Sequence, residues 1–228
     1  MINTILANAH RHRKLLAAVS FSCLLSIMLA FYRFYITDSH IFGFLLWNLF
    51  LAAIPFGFAL LLSSYTPKTK KVVFFATLGL WLLFFPNAPY ILTDLVHLYP
   101  RWGVPFWFDL IFIFTFAWNG VMLGYLSLLF VEDTLYRMYN GYVAFGFAIF
   151  SLSIGAFGIY LGRFDRWNSW DLFQEPIPMM RDIAEYFLHP RTHANTWAIT
   201  IIIAAFLVTG YLVIKQLSRL NGVFNTVK

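Results

Sequence analysis

Six apolar segments, each about twenty residues long, dominate this sequence. They lie at 15–35, 41–63, 72–92, 106–130, 142–162 and 196–217. A helix needs about twenty apolar residues to cross the hydrocarbon core of a bilayer. The gaps between the segments are too short for a soluble domain of any size. The sequence therefore predicts an all-α, polytopic membrane protein, a bundle of about six transmembrane helices in a single integral membrane domain over residues 1–228.

Composition agrees with a membrane location and argues against other classes. The chain is 61% hydrophobic and only 11% charged, far from the balance of a soluble domain. Its net charge of +6 comes from residues that flank the apolar segments, so nucleic acid is not an expected partner and the lipid bilayer is. The one cysteine, Cys23, excludes an intramolecular disulfide. No cofactor and no oligomeric state is indicated.

The lysines and arginines predict the orientation. Ten of them fall on one side of a six-span arrangement: Arg11, Arg13, Lys14, Lys68, Lys70, Lys71, Arg137, Lys215, Arg219 and Lys228. The positive-inside rule places that side, with both termini, in the cytoplasm. The longest extracytoplasmic loop is then 163–195, and eight of the ten acidic residues face outward. The polar chemistry is expected at the outer face.

Two prolines interrupt the third segment near its predicted outer end. Pro86 and Pro89 flank Asn87 in an otherwise apolar stretch. Each proline removes a backbone donor and crowds the preceding turn, which predicts that the third helix is broken here. Inside a membrane the freed carbonyls need partners from protein or trapped water. Asn87 can supply one such bond.

A short polar face follows the prolines. Tyr90, Asp94 and His97 stand at i, i+4 and i+7, the spacing of one side of a helix. A carboxylate and an imidazole three residues apart can share a proton or bind a metal. In the structural interpretation Asp94 bonds to a neighbouring helix and His97 lies at the interface; in the functional one they form a site. Two ligands make no metal motif, so no metal site is predicted.

The fourth segment carries two polar side chains at positions where burial in lipid would have a high free-energy cost. Asp109 lies near its start and Asn119 near the middle of the membrane. Such groups face protein or a water-filled cavity. Asn119 is therefore either a hydrogen-bonding contact between helices, the favoured interpretation, or a cavity-lining group. Gly120 and Gly124, four residues apart, allow another helix to approach closely.

Small side chains form a stripe along the fifth segment. They recur at helical spacing as Ala144, Ala148, Ser151, Gly155, Gly158 and Gly162. Such a stripe lets another backbone pack closely along the helix. It predicts a tightly docked helix whose outer end holds the following residues in a fixed place.

Those following residues are the charged run Gly162–Asp171. Its charged, amide and indole side chains are those of Arg163, Asp165, Arg166, Trp167, Asn168, Trp170 and Asp171. Arginine holds phosphate or carboxylate in bidentate fashion, the carboxylates can act as general bases or accept bonds from sugar hydroxyls, and tryptophan stacks on sugars or anchors at headgroup level. One interpretation is a salt-bridged cap over the bundle end. The other is a site for an anionic or polyol ligand at the membrane surface.

The stretches Phe85–Leu95 and Tyr160–Asp171 together resemble the signature of domain-of-unknown-function family 1361, whose members are bacterial multi-pass membrane proteins. The resemblance covers most of the chain from the third segment onward. It implies a bacterial plasma (inner) membrane location and a single-domain protein. It implies no activity and supplies no catalytic residues.

The leading functional hypothesis is an extracytoplasmic-face site that binds or processes a lipid-linked or envelope-derived anionic or polyol ligand. Acid/base candidates are Asp94, His97, Asp109, Asp165 and Asp171; ligand-binding candidates are Asn87, Tyr90, Asn119, Arg163, Arg166, Trp167, Asn168 and Trp170. The charged run and the segment 87–97 are expected to share one membrane face. Known nucleophile, phosphate-loop and metal motifs are missing from the sequence, so no enzyme class is predicted.

Two alternatives remain open. A small-solute transporter would use the proline-broken helix and Asn119 as its path, since discontinuous helices mark binding sites in transporters. The sparse polar residues of the cytoplasmic half disfavour it. A non-catalytic membrane assembly subunit would bind only protein and lipid.

The predicted orientation can be tested by cysteine labelling. Cysteines placed in the 163–195 loop should react with a membrane-impermeant reagent added from outside. Cysteines placed near Arg137, in a predicted cytoplasmic loop, are the control and should react only from inside. Reaction of the 163–195 positions from the inside alone would reverse the topology.

Overall fold

The computed structural model describes residues 12–65, 70–101 and 103–224, with side chains through Ser218, and every regular element within them is helical. The elements are α1 Arg13–Thr37, α2 Gly43–Ser63, α3 Lys71–Phe84, α4 Asn87–Tyr90, a 3₁₀ helix Ile91–His97, α5 Phe106–Met138, α6 Gly141–Tyr160, a π-helix Leu161–Asp165, α7 Asp171–Gln174, α8 Pro176–Leu188 and α9 Ala194–Phe224. Of the residues used to predict the orientation, Arg11, Lys68 and Lys228 lie outside the described ranges.

Six helical spans within the described residues are long and apolar enough to cross a membrane. They are Arg13–Thr37, Gly43–Ser63, Lys71–His97, Phe106–Met138, Gly141–Asp165 and Ala194–Ser218. The predicted all-α, multi-pass architecture is confirmed. The orientation of the termini stays a prediction.

The fourth span extends further than its apolar segment. α5 continues to Met138, eight residues beyond the predicted end at 130. Hydrophobicity marks where a helix is surrounded by lipid, whereas backbone hydrogen bonding continues wherever the next residues allow it. In the added turns Arg137 Nε bonds to Asp133 Oδ2 at 3.0 Å, one helical turn away, which supports the helix end.

The third span changes helix type near its prolines. α3 ends at Phe84, and α4 and the 3₁₀ helix continue the helical path to His97. The Ala88 amide bonds to the Phe85 carbonyl at 3.2 Å, which is not the Phe84 carbonyl that it would reach in a continuing α-helix. The Asn87 side-chain amide donates to the Phe84 carbonyl instead, at 3.0 Å. That the prolines break this helix stays a prediction, because the whole run qualifies as one span.

α4 packs on the glycine face of α5. A Cβ added to Gly120 would collide with the Ala88 carbonyl oxygen, and one added to Gly124 would stand 3.4 Å from the Ala88 Cβ and 3.5 Å from the Pro89 Cδ. The missing side chains therefore let the backbone after Pro86 approach α5 closely, the use of small residues expected between membrane helices.

The chain forms two compact units, Met1–Ala144 and Phe145–Lys228. The first has a core of buried apolar side chains from α1, α2, α4, the 3₁₀ helix and α5, among them Ala30, Phe42, Leu45, Ala52, Phe112, Ile113 and Phe116. In the second, Ala148, Ser151 and Gly155 of the predicted stripe are buried. That the whole chain is one domain stays a prediction.

Gly120→Ala tests the close approach of α4 and α5. The new methyl group has no space beside the Ala88 carbonyl, and overpacking of this kind costs about 1–3 kcal/mol. We expect the thermal unfolding temperature of the purified full chain to fall by several degrees.

The matched control is Gly146→Ala on α6, where nothing lies within 4 Å of the added Cβ. There alanine should be neutral or stabilising, because its helix propensity exceeds that of glycine by about 1 kcal/mol. Equal melting temperatures for the two variants would contradict the described contact.

Candidate functional site

The side-chain nitrogen and oxygen of Asn119 are both hydrogen-bonded within the first unit. Its amide nitrogen donates to the Ser22 carbonyl at 3.0 Å and to Ser26 Oγ at 2.8 Å, and its oxygen accepts from Ser22 Oγ at 2.6 Å. Both serines lie on α1. This geometry supports the interpretation of Asn119 as a contact between α1 and α5.

Asp109 forms a buried ion pair. Arg33 Nε lies 2.7 Å from Asp109 Oδ1, with both side chains 2% exposed, and Arg33 Nη2 lies 3.3 Å from Oδ2. Arg33 also donates to the Thr37 hydroxyl and stands over the Phe42 ring, 5.5 Å from its centroid. Because both carboxylate oxygens meet the guanidinium, the geometry supports a structural role.

A second arginine stands over the same ring. The Arg101 guanidinium carbon is 5.1 Å from the Phe42 centroid, and its Nε is buried without a hydrogen-bond partner in the described chain. Sequence reasoning singled out neither Arg33 nor Arg101 as a site residue, because only the fold brings both to one phenylalanine.

Asp94 and His97 lie on one face of the 3₁₀ helix. With 3.0 residues per turn, positions three apart are directly aligned, so the pair shares a face as predicted. Tyr90 does not follow that periodicity, because the expected i, i+4, i+7 face assumed an α-helix. The Asp94 carboxylate is buried and accepts from Asn48 Nδ2 at 2.7 Å. The His97 ring packs edge-on against Phe44 at 5.1 Å.

The charged run begins in an irregular helix end. The π-helix Leu161–Asp165 follows α6, and Arg166 then adopts the left-handed conformation, with φ 63° and ψ 25°. The amides of Arg166 and Trp167 both donate to the Leu161 carbonyl, which closes the helix in the way usually seen with glycine at the left-handed position. π-helical turns within α-helices are frequent at functional sites.

Side-chain hydrogen bonds within the charged run stabilise the loop, and another connects it to α8. Asp171 Oδ2 accepts from the Asn168 backbone amide at 2.6 Å and from its side chain at 3.1 Å. Trp167 Nε1 donates to Asp182 Oδ2 at 3.0 Å. The side chains of Arg166 and Asn168 are exposed, while those of Arg163 and Trp170 are half-buried.

Asp165 meets a partner that the sequence did not predict. The Tyr186 hydroxyl lies 3.0 and 2.9 Å from its two carboxylate oxygens, and the His193 ring packs edge-on against Tyr186 at 4.7 Å. Burial, followed by the hydrogen bond to Asp165, raises the pKa of Tyr186 above its usual range. The phenol therefore remains a protonated donor at neutral and mildly alkaline pH.

Aromatic rings surround this cluster. Tyr160 stacks on Phe164 at 4.7 Å and meets Tyr186 edge-on at 5.8 Å. The Tyr160 hydroxyl accepts from Thr196 Oγ1 at 2.9 Å, which joins the end of α6 to the start of α9. Asp165 thus sits where α6, α8 and α9 of the second unit meet.

Sequence reasoning missed Tyr186, His193 and Asp182 in this cluster. One available signal was the spacing of Asp182 and Tyr186, which stand four residues apart, about one helical turn, on an amphipathic segment. It could not name Asp165 as the partner of Tyr186, because 21 residues separate them. Among the described residues, no group of three or more His, Cys, Asp or Glu side chains could hold a metal ion.

Comparison with protein families finds a match that includes both sequence motifs. The model of the family described as "Protein of unknown function (DUF1361)" matches residues 47–209, well over half of the chain. The chain belongs to this family. The DUF1361 match contains the whole Asp165–Tyr186–His193 cluster, whereas α1 with its partners for Asn119 and Asp109 precedes it. No curated protein and no solved structure matches the chain.

Tyr186→Phe tests whether the Asp165 contact holds this cluster together. The substitution keeps the ring and removes the hydroxyl that contacts both carboxylate oxygens. Leaving a partly buried acceptor without its donor costs about 1–3 kcal/mol. We expect a lower unfolding temperature and faster amide hydrogen exchange in α8.

Tyr142→Phe is the matched control, since its side chain is 92% exposed and the same atom is removed. It should leave both measurements unchanged. Unaltered exchange in α8 of the Tyr186 variant would show that the contact does not hold the helix.

Proposed function

We propose that this DUF1361 protein lies in a bacterial plasma membrane and holds an anionic, hydroxyl-bearing ligand at its extracytoplasmic face. The ligand class is a lipid-linked or envelope-derived phosphate or carboxylate. The site is the surface formed by the charged run Gly162–Asp171 together with Tyr186 and His193. The observation that carries the proposal is the left-handed conformation of Arg166.

An arginine at this position is energetically unfavourable for folding. The left-handed conformation costs an L-residue roughly 1–2 kcal/mol, and glycine would avoid that cost at a helix end of this type. The Arg166 side chain is exposed, and no described residue pairs with its guanidinium. Strain of this kind is typical of functional positions. An exposed, planar guanidinium is suited to a phosphate or carboxylate.

The surroundings of Arg166 support a ligand with hydroxyl groups as well as charge. Arg163 lies in the preceding turn and adds a second positive charge. Asp165, which precedes Arg166 in the chain, offers carboxylate acceptors, and His193, which packs against Tyr186, offers ring nitrogens as donors and acceptors. Trp167 and Trp170 are the residue type that stacks on sugar rings or lies at headgroup level.

The sites in the first unit give less support to a ligand role. Asp109 is paired with Arg33, and the side-chain amide of Asn119 donates hydrogen bonds to serines of α1. The transporter alternative used Asn119 as a path-lining group, but this side chain is already hydrogen-bonded to Ser22 and Ser26. The positive-inside rule supports the extracytoplasmic position, and the resemblance carried by the two sequence motifs supports the bacterial membrane.

Arg166→Gly separates a functional arginine from a structural one, because the two roles predict opposite effects. Relief of the left-handed strain should raise the stability of the full chain by up to about 1 kcal/mol. Loss of a charge-assisted hydrogen bond, about 1.5–3 kcal/mol, should weaken anion binding roughly tenfold or more. The probe is a short-chain polyprenyl phosphate, titrated into the purified protein in nanodiscs.

Two controls accompany this experiment. Arg191→Gly removes a positive charge from an exposed turn of the same predicted loop and should change binding less than threefold. The polyprenol that lacks the phosphate should bind the unaltered protein much more weakly. Equal binding of alcohol and phosphate, or full binding by Arg166→Gly, would refute the proposed anion site.

A further inference from the structure

We propose that α8 lies within the membrane interface and inserts one apolar face among the lipid acyl chains of the leaflet in which α6 ends. In the predicted topology this is the outer leaflet. The position of α8 in the membrane does not depend on the proposed ligand.

Three faces run along α8. One packs inward and carries Met179, Ile183 and Tyr186, which are buried or half-buried. A polar face carries Arg181, Asp182 and Glu185, all exposed. Between them lies a third face that is apolar and uncovered. Its members are Ile177, Met180, Phe187 and Leu188, with exposures of 81, 54, 60 and 71%.

The contact between Phe187 and Phe157 sets the depth of the α8 C-terminus. Their ring centroids are 5.7 Å apart, and Phe157 precedes the end of its span at Asp165 by eight residues. At 1.5 Å per residue, this contact lies roughly 12 Å inside the span end. The 25-residue span is about 37 Å long, only a few ångströms longer at each end than a hydrocarbon core of about 30 Å.

A second contact holds the same end of α8 against α9. Phe187 meets Trp197 at 5.0 Å between ring centroids, and Trp197 Nε1 donates to the Tyr186 carbonyl at 3.3 Å. Trp197 stands in the first turn of α9, which begins at Ala194. The C-terminal end of α8 therefore contacts two spans, about 12 Å inside the end of the span that contains α6 and at the first turn of α9.

The depth of these two contacts indicates that lipid covers the apolar face of α8. The spans are surrounded by acyl chains at the depth of Phe157, so a neighbouring exposed Phe187 meets the same surroundings. An amphipathic helix at an interface buries its apolar face about 5–10 Å deep, which agrees with the depth set by the Phe157 contact. Arg181 and Glu185 on the polar face remain directed to water and headgroups.

The charged run is tied to this helix. The bonds from Trp167 to Asp182 and from Tyr186 to Asp165 join the two segments. An inserted α8 therefore holds the run at the level of the lipid headgroups.

Nitroxide accessibility in nanodiscs tests the insertion. Single cysteines are placed at Ile177, Met180 and Leu188 on the apolar face, in a Cys23→Ser background that removes the one native cysteine. Oxygen concentrates in acyl chains, whereas a water-soluble nickel chelate stays outside them. We expect the oxygen-to-nickel collision ratio at the three apolar positions to exceed the ratio at the control by at least fivefold.

The control is Glu185→Cys, on the polar face of the same helix and 57% exposed in its side chain. Three apolar positions keep the test valid if one variant misfolds, which gel filtration would reveal. Equal ratios on both faces would place α8 in water and refute the proposal. Spin–spin broadening at Met180 and Leu188 would also refute it, because that result means a second copy of the chain covers the face.

Discussion

Polar groups inside a bilayer have no water to bind, and this constraint organises the first unit. Each such group must find a partner in the protein or incur a large free-energy cost. Asn119 on α5 meets two serines of α1, and Asp109 meets Arg33 of the same helix. The two contacts lie near the middle and the start of α5. They therefore hold α1 against α5 at two levels.

The same constraint distinguishes the candidate residues. The deep polar side chains of Asn119 and Asp109 are bound within the protein, which makes them suitable for holding helices together. At a helix end, water and headgroups can replace missing partners, so an exposed charge is tolerated there. Arg166 illustrates the difference, because it is exposed while its backbone is held in an unfavourable conformation. This contrast is why the proposed ligand site is at the end of α6 and not within the membrane.

Local chemistry was predictable and long-range pairing was not. Asn87 bonds to a carbonyl close by in the chain, and Gly120 and Gly124 receive a close backbone neighbour, both as the sequence indicated. The pairing of Asp165 with Tyr186 was missed because α8 must first fold back against α6 and α9. The expected shared face of Tyr90, Asp94 and His97 assumed an α-helix, and the sequence does not show that a 3₁₀ helix forms over Ile91–His97 instead.

The sequence by itself determined the helical class, the number of spans and the family. A span is a local property, because about twenty apolar residues rising 1.5 Å each match the thickness of the hydrocarbon core. Only the tertiary structure decided which partner each polar side chain meets. Those partners lie 97 residues apart for Ser22 and Asn119 and 76 for Arg33 and Asp109. Such pairs arise from the packing of whole helices against each other, and no local pattern of residues encodes that arrangement.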